Sequence, residues 1–186
     1  MRYTRLVTIL AILALFALVG TAVFVYLPGN ISIVSVPPPV YFTAGTNANQ
    51  PDIAGNTISL TIGANQSSFS LTVHPTYQKT YYEDIVKIVN PALPAGDNYF
   101  FGVKVITAVG APFTIAEMRI FDNANNLILI VDLTSATLQG WPTALNDNTQ
   151  YRVDFMFVLP ENVQLPGPMT VQIELVYSPQ AAAIPP

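Results

Sequence analysis

The residues whose chemistry enzymes use are few in this chain, and they are poorly placed for catalysis. Glu83 and Asp84 are adjacent, so in a strand we expect them to point to opposite faces and to form no catalytic carboxylate pair. His74 is the only histidine and there is no cysteine, which leaves no donor set for a transition metal and no thiol nucleophile. Neither a nucleophile elbow nor a phosphate-binding glycine loop occurs. The sequence therefore predicts a protein that is not an enzyme and has no catalytic or metal site and no cofactor.

Two loops rich in Asp and Asn side chains have the oxygen atoms that calcium prefers. They cover residues 47–52 and residues 122–126. Both lack the alternating Asp-x-Asn-x-Asn-Gly spacing and the distal glutamate of an EF-hand. Asx side chains also bond their own backbone in turns. The sequence predicts turns at both places and does not require calcium at either.

The composition narrows the functional class further. Apolar residues make up 51% of the chain and charged residues 10%, against a usual charged share of roughly 25%, which excludes intrinsic disorder. Seven basic residues stand against 11 acidic ones, so no basic patch for nucleic acid can be built. A structural or binding protein is favoured.

The N-terminus has the features of an export signal. Arg2 and Arg5 precede an apolar run over residues 6–19, which ends in Gly20-Thr-Ala22. This order predicts a signal peptide over residues 1–22, cleaved between Ala22 and Val23. The alternative is an uncleaved anchor over residues 6–27, long enough for a bilayer core of about 30 Å. Either way the body lies outside the cell, and the membrane is touched only by this segment.

The exported body carries two sequons and no disulfide. Asn30-Ile-Ser and Asn65-Gln-Ser are glycosylation acceptors by pattern, so Asn30 and Asn65 are candidate modification sites. Without cysteine the fold depends on core burial, which is feasible for the roughly 160 residues left after cleavage.

The body is predicted to be made of strands. Residues 169–177 alternate apolar and polar side chains, as do residues 151–159. Further strands are predicted at residues 57–62, 67–73, 80–89, 98–109, 114–121 and 126–133, with one short helical turn at residues 135–138. Strands at this spacing predict an all-β, jelly-roll-like β-sandwich over residues 40–178, followed by a short tail at residues 179–186.

A strand-forming arm precedes this body. Three prolines at 37–39 form a stiff spacer after a segment, residues 23–36, of strong β propensity. Such an arm either folds back as the first strand of its own sandwich or completes the sheet of a neighbouring subunit. The second arrangement is head-to-tail and makes a filament. The candidate donor-strand residues are Val23, Phe24, Val25, Tyr26, Leu27, Ile31, Ile33, Val34 and Val36.

The order of these features resembles a known family. Ala17-Leu-Val-Gly-Thr-Ala22 is followed at once by an apolar strand, and Lys79-Thr-Tyr-Tyr-Glu-Asp-Ile-Val-Lys-Ile-Val-Asn90 and residues 99–109 are similar to two successive strands of the family. The layout resembles the TasA/camelysin fibre subunits of bacterial biofilms, and more closely the archaeal bundling pilins related to them. The prolines at 37–39 depart from the bacterial members.

The resemblance implies a secreted jelly-roll domain that polymerises through an N-terminal donor strand. Its partners would be identical subunits in a cell-surface filament and neighbouring filaments in bundles, which support adhesion and biofilm formation. Two rival hypotheses remain at this point: a β-sandwich displayed on an uncleaved membrane anchor, and a secreted enzyme or carbohydrate-binding module.

Overall fold

The computed structural model describes residues 3–4, 7–9, 29–32, 34–76, 78–91, 98–183 and 185. The chain divides into two compact units, Met1–Val36 and Pro37–Pro186. In the first, residues 3–4 and 7–9 are helical and the described part of residues 29–36 has no regular secondary structure. No helix among the described residues combines the length and apolar character that crossing a membrane needs. The predicted cleavage at Ala22 and Val23, and the donor-strand residues Phe24, Val25, Tyr26, Leu27 and Ile33, lie outside the described residues.

The second unit is built almost entirely of β-strands in its described residues. They are β1 (Tyr41–Ala44), β2 (Ser59–Ile62), β3 (Phe69–Thr72), β4 (Gln78–Asn90), β5 (Tyr99–Thr107), β6 (Ile115–Phe121), β7 (Leu127–Asp132), β8 (Leu138–Leu145), β9 (Thr149–Leu159) and β10 (Gln172–Ser178). The predicted all-β class is therefore confirmed.

The strands form three antiparallel groups. A five-stranded sheet has the order β1-β4-β9-β6-β7, a three-stranded sheet has the order β10-β5-β8, and β2 pairs with β3 in a hairpin. The two larger sheets contribute to a single hydrophobic core, for instance through Ile88, Met118 and Val153 of the larger sheet and Phe101 and Leu145 of the smaller one. Two antiparallel sheets with a shared core are consistent with the predicted β-sandwich.

Most predicted strands are present. The paired strands β6 and β7 meet at a turn in which the Asp122 carboxylate accepts from the amides of Ala124 and Asn126, as Asx turns do. The predicted hairpin over residues 57–73 is confirmed as β2 and β3. The strand predicted at residues 169–177 begins only at Gln172.

Two strands were not predicted, and the predicted helical turn at residues 135–138 is wrong. Asp132 ends β7, and its carboxylate accepts from the amide and hydroxyl of Thr134, which turns the chain at once. β8 then begins at Leu138. The other unpredicted strand, β1, has only four residues.

The sandwich is closed along the side where β7 and β8 meet. The Gln139 side chain accepts from the Asp132 amide and donates to the Asp132 carbonyl, both at 2.8 Å, in the manner of a strand partner. The Leu133 amide donates to the Ala116 carbonyl, and the Leu133 carbonyl accepts from the Val109 amide. These bonds tie the two sheets together on this side.

A bulge in β4 positions the loop that follows β1. Asp84 has a φ of 47°, and the register between β4 and β9 shifts between Tyr82 and Val86. The Gly45 amide donates to the Ile85 carbonyl, and the Asn47 amide donates to the Asp84 carbonyl. Gly45 lies so close that an added Cβ would sit 2.0 Å from the Asp84 carbonyl oxygen. The loop therefore follows the bulge without room for a side chain.

We predict that Gly45→Ala lowers the free energy of unfolding by about 3 kcal/mol, because the new methyl group overlaps backbone that cannot move aside. Urea denaturation followed by fluorescence measures the change. Gly110→Ala is the matched control, since an added Cβ there meets no atom within 4 Å. The control should change the free energy by no more than about 0.5 kcal/mol. Equal effects of both substitutions would contradict the prediction.

Candidate functional site

A large concave feature among the described residues of the second unit is a groove between β3 and β10. Its volume is about 1080 Å³. One wall is residues 67–75, which contain β3, and the other is residues 167–175 with Tyr177, which contain most of β10. The floor consists of core side chains: Val103, Val109, Met118, Leu133, Phe155 and Phe157. The groove therefore opens directly onto the hydrophobic core.

Both walls present the edges of strands to the groove. Successive side chains of a strand point to opposite faces. A strand that turned one face toward the groove would therefore line it with every second residue only. Here every residue from 67 to 75 and from 167 to 175 lines the groove. In the described part of the chain, β3 pairs only with β2, and β10 pairs only with β5. Each wall therefore carries a row of backbone donors and acceptors without a strand partner on the groove side.

The apolar side chains of the walls are incompletely covered. Ile173, Leu175 and Tyr177 alternate along β10 as predicted, but they are only half-buried against the core. Phe69 and Leu71 of β3 are half-buried in the same way. Among the groove residues, Glu174 is the one with a permanent charge at neutral pH. The groove is thus suited to an uncharged, apolar occupant.

The arm has the complementary character. Ile31, Val34 and Val36 are 87%, 77% and 75% exposed, and the sequence contains no charged residue from position 6 to position 51. Exposure of three large aliphatic side chains within six residues leaves apolar surface uncovered, since each gains about 1.5–3 kcal/mol on full burial. The predicted donor residues Ile31, Val34 and Val36 are thus available for contact.

One end of the groove holds the only histidine. His74 follows β3 and lies with its Nδ1 3.6 Å from Oδ2 of Asp52. The Asp52 side chain is buried, and its other carboxylate oxygen accepts from the amides of Ala54 and Asn56. Burial opposes ionisation of Asp52, but these hydrogen bonds outweigh it and lower the pKa of the carboxyl group. Burial raises the pKa of the adjacent Tyr82 to about 12.

The carboxylates of Glu83 and Asp84 have different partners and do not form a pair. The side chain of Glu83 is 58% exposed and forms an ion pair with Arg152, whereas Asp84 is buried and accepts from the Thr46 amide at 2.9 Å and the Thr46 hydroxyl at 2.6 Å. Both residues lie within the bulge between Tyr82 and Val86, where one side chain is exposed and the other is buried.

A buried carboxylate supports the bulge from β9. Asp154 is fully buried and accepts from the Asp84 amide at 2.7 Å and from the Tyr81 hydroxyl at 2.6 Å. Nε of Arg152 lies 3.1 Å from Oδ1 of Asp154, so the positive charge of the arginine compensates that of the carboxylate. Partial burial and the hydrogen bond to Asp154 raise the pKa of Tyr81 to about 12. All of these groups are engaged with each other, which indicates a structural role.

The remaining predicted sites lie on the surface. Asn30 and Asn65 are exposed, and the Asn65 side chain accepts from the amide and hydroxyl of Ser67 within its turn. In the two oxygen-rich loops, Asn49, Asp52 and Asp122 accept from backbone amides. No group of three or more His, Cys, Asp or Glu side chains placed to hold a metal ion is found among the described residues.

The groove itself was not predicted from the sequence. The alternation in residues 169–177 indicates an apolar face, but it does not indicate what covers that face. The walls lie about a hundred positions apart along the chain, and no local pattern relates them.

We predict that Thr46→Ala lowers the free energy of unfolding at neutral pH by about 1.5–3 kcal/mol, because it removes a hydrogen bond to a buried carboxylate. Burial raises the pKa of Asp84, but the Thr46 hydrogen bonds and the nearby Lys87 and Arg152 outweigh it, so the pKa lies below the usual value. The stabilisation is therefore complete above the unfolded pKa of about 4 and is lost as the pH falls through the folded pKa. The difference between wild type and variant should narrow below about pH 4, which urea denaturation across a pH series measures.

Thr134→Ala is the control for this prediction. The Thr134 hydroxyl donates to the Asp132 carboxylate at the same 2.6 Å, but at an exposed site. Its loss should cost about 0.5 kcal/mol or less at any pH. An effect of Thr46→Ala that stayed constant from pH 7 to pH 2.5 would show that Asp84 does not carry the stabilisation.

Comparison with known proteins adds no assignment to this geometry. The chain matches no protein-family model, and no match is found among the curated proteins. The function must therefore be inferred from the groove, the arm and the surface of the sandwich.

Proposed function

We propose that this protein is the structural subunit of an extracellular filament, in which the N-terminal arm of one subunit fills the groove of the next. The observation that carries the proposal is the groove, because it opens onto the core between two strand edges that have no strand partner among the described residues. The same chain supplies an uncharged arm with exposed aliphatic side chains. Main-chain hydrogen bonds then give affinity, and alternate apolar side chains give register.

The contact joins two different surfaces, so the assembly does not close. Each subunit has one arm and one groove, and a heterologous contact of this kind propagates into a filament. In this proposal the body is a secreted, jelly-roll-like sandwich at the cell surface, freed by cleavage of residues 1–22. The filament supports adhesion and biofilm formation.

The outer face of the five-stranded sheet supports lateral association as part of the same proposal. Ile115, Leu127 and Ile130 are 37%, 44% and 43% exposed on neighbouring strands β6 and β7. Arg119 lies opposite Ile130 and forms an ion pair with Glu117, so the charge between these side chains is compensated. An apolar, nearly neutral strip along a filament favours side-by-side bundling.

We predict that a mature chain lacking residues 23–36 forms no filaments, because it has no segment to place in the groove. Negative-stain electron microscopy and sedimentation measure the outcome. A chain lacking residues 179–186 is the matched control and should polymerise as the full chain does. Filaments from the chain without its arm would refute the proposed function.

A peptide test covers the case in which the shortened chain is unstable. A synthetic peptide of residues 29–36 added to it should raise the melting temperature in a concentration-dependent manner, because a ligand of the native state stabilises by mass action. A peptide of the same composition in scrambled order should have a much smaller effect. Equal effects of the two peptides would count against specific filling of the groove.

We predict that the double substitution Leu127→Thr and Ile130→Thr leaves single filaments intact and abolishes their bundling. Threonine keeps the β propensity of the strand but removes apolar surface. Ile53→Thr is the control, since Ile53 is 89% exposed in a loop elsewhere. Light scattering and electron microscopy measure bundle thickness. Bundles of unchanged thickness would exclude this face.

A further inference from the structure

We propose that the arriving arm is inserted between β3 and β10 and bonds to both, so that the hairpin and the three-stranded sheet become one six-stranded sheet of order β2-β3-arm-β10-β5-β8. This inference rests on the proposed function and specifies where the arm binds. The occupant is residues 29–36 of a second copy of the chain.

The edge of β1 is the rival position, and it is partly occupied. The Phe42 amide of β1 donates to the Gln66 carbonyl in the turn of the β2–β3 hairpin, at 2.8 Å. Phe42 also contacts Phe69 of β3, with ring centroids 5.0 Å apart. The hairpin therefore already lies against β1, and among the described strands the next edge without a partner is that of β3.

The edges of β3 and β10 face the same space. Both contribute consecutive residues to one groove, and no backbone hydrogen bond joins the two walls within the described part of the chain. A strand placed there meets two rows of donors and acceptors at once. Attached to the outer edge of an ordinary sheet, it would meet only one.

The directions of the two walls determine how the arm pairs. Asn90 is the last residue of β4, and its side chain donates to the Leu145 carbonyl. Leu145 pairs with Tyr99 at the start of β5. The antiparallel strand β10 ends beside this start of β5. β4 and β10 thus end at the same end of the sandwich. β3 ends at the opposite end, where Thr76 donates to Thr80 at the start of β4. The walls run in opposite directions, so the arm is antiparallel to one and parallel to the other.

The arm matches the site in length and charge. Each wall contributes nine consecutive residues, 67–75 and 167–175, and the arm segment 29–36 has eight. The groove holds one permanent charge, at Glu174, which points with Gln172 toward the exposed face of the strand. The arm has no charge. Ser32 and Ser35 are three positions apart, so in a strand their side chains point to opposite faces. Whichever face of the arm turns toward the core, one of the two serines therefore lies on the exposed face.

Disulfide cross-linking tests the position, because the wild-type chain has no cysteine that interferes. One population carries Ser32→Cys or Ser35→Cys in the arm. A second carries one cysteine on the exposed side of a wall, and paired positions there bring Cβ atoms close to the separation that a disulfide needs. The wall positions are Ser68, Ser70 and Thr72 of the β3 wall and Thr170, Gln172 and Glu174 of the β10 wall. Thr43→Cys, on β1, is the control.

The two populations are mixed, polymerised and oxidised, and disulfide-linked dimers are quantified by non-reducing electrophoresis. We expect at least one position on each wall to give dimers at more than ten times the yield of Thr43→Cys. The insertion would be refuted if filaments form but the arm cross-links to one wall only, to the cysteine at position 43, or to no wall position. The proposed filament itself would stand in each of these cases. A mixture that forms no filaments, while the arm cross-links to a wall of its own chain in a double-cysteine variant, would refute the proposed function itself.

Discussion

Backbone groups at the edge of a sheet need partners, and apolar side chains behind that edge need cover. The sandwich meets both needs along the β7–β8 side, where Gln139 bonds Asp132 as a strand would and Leu133 joins both sheets. Between β3 and β10 the described residues meet neither need, and the groove there opens onto core side chains. The proposed arm supplies the missing strand and the missing side chains together, which is why a single segment is sufficient.

Buried, hydrogen-bonded carboxylates hold the loop that leads from β1 toward one wall of the groove. Asp154 on β9 accepts from the Asp84 amide, and Asp84 in turn accepts from Thr46. The loop fixed in this way leads to the β2–β3 hairpin, whose second strand is the wall. A buried carboxylate is costly unless it is hydrogen-bonded and its charge is compensated, and Arg152 provides the compensation. The hydrogen-bonded cluster of Asp154, Asp84 and Thr46 therefore fixes the loop that leads into the hairpin beside the groove.

The sequence predicts what depends on local periodicity and not what depends on distant pairing. Residues 151–159 form the predicted strand with the odd-numbered side chains in the core, but Asp154 and Met156 on its other face are buried as well. β8 was missed because Gly140-Trp-Pro is typical of a break in a strand. The structure explains this glycine by its neighbour: a Cβ on Gly140 would come within 2.4 Å of the Leu129 side chain, which occupies that space. The groove depends on the mutual placement of β3 and β10, and alternation within either strand carries no information on the distance between them.

The same physical terms apply to the chain's own arm and to a neighbour's. A strand inserted between walls of opposite direction gains hydrogen bonds on both sides, so its binding energy is large wherever the arm comes from. A stiff run of prolines at 37–39 separates the arm from β1, and polyproline segments extend by about 3.1 Å per residue without folding back. In the proposed filament the stiff spacer keeps each arm apart from the strand that follows it, so the arm is held out for the next subunit and every subunit so joined offers an arm in its turn.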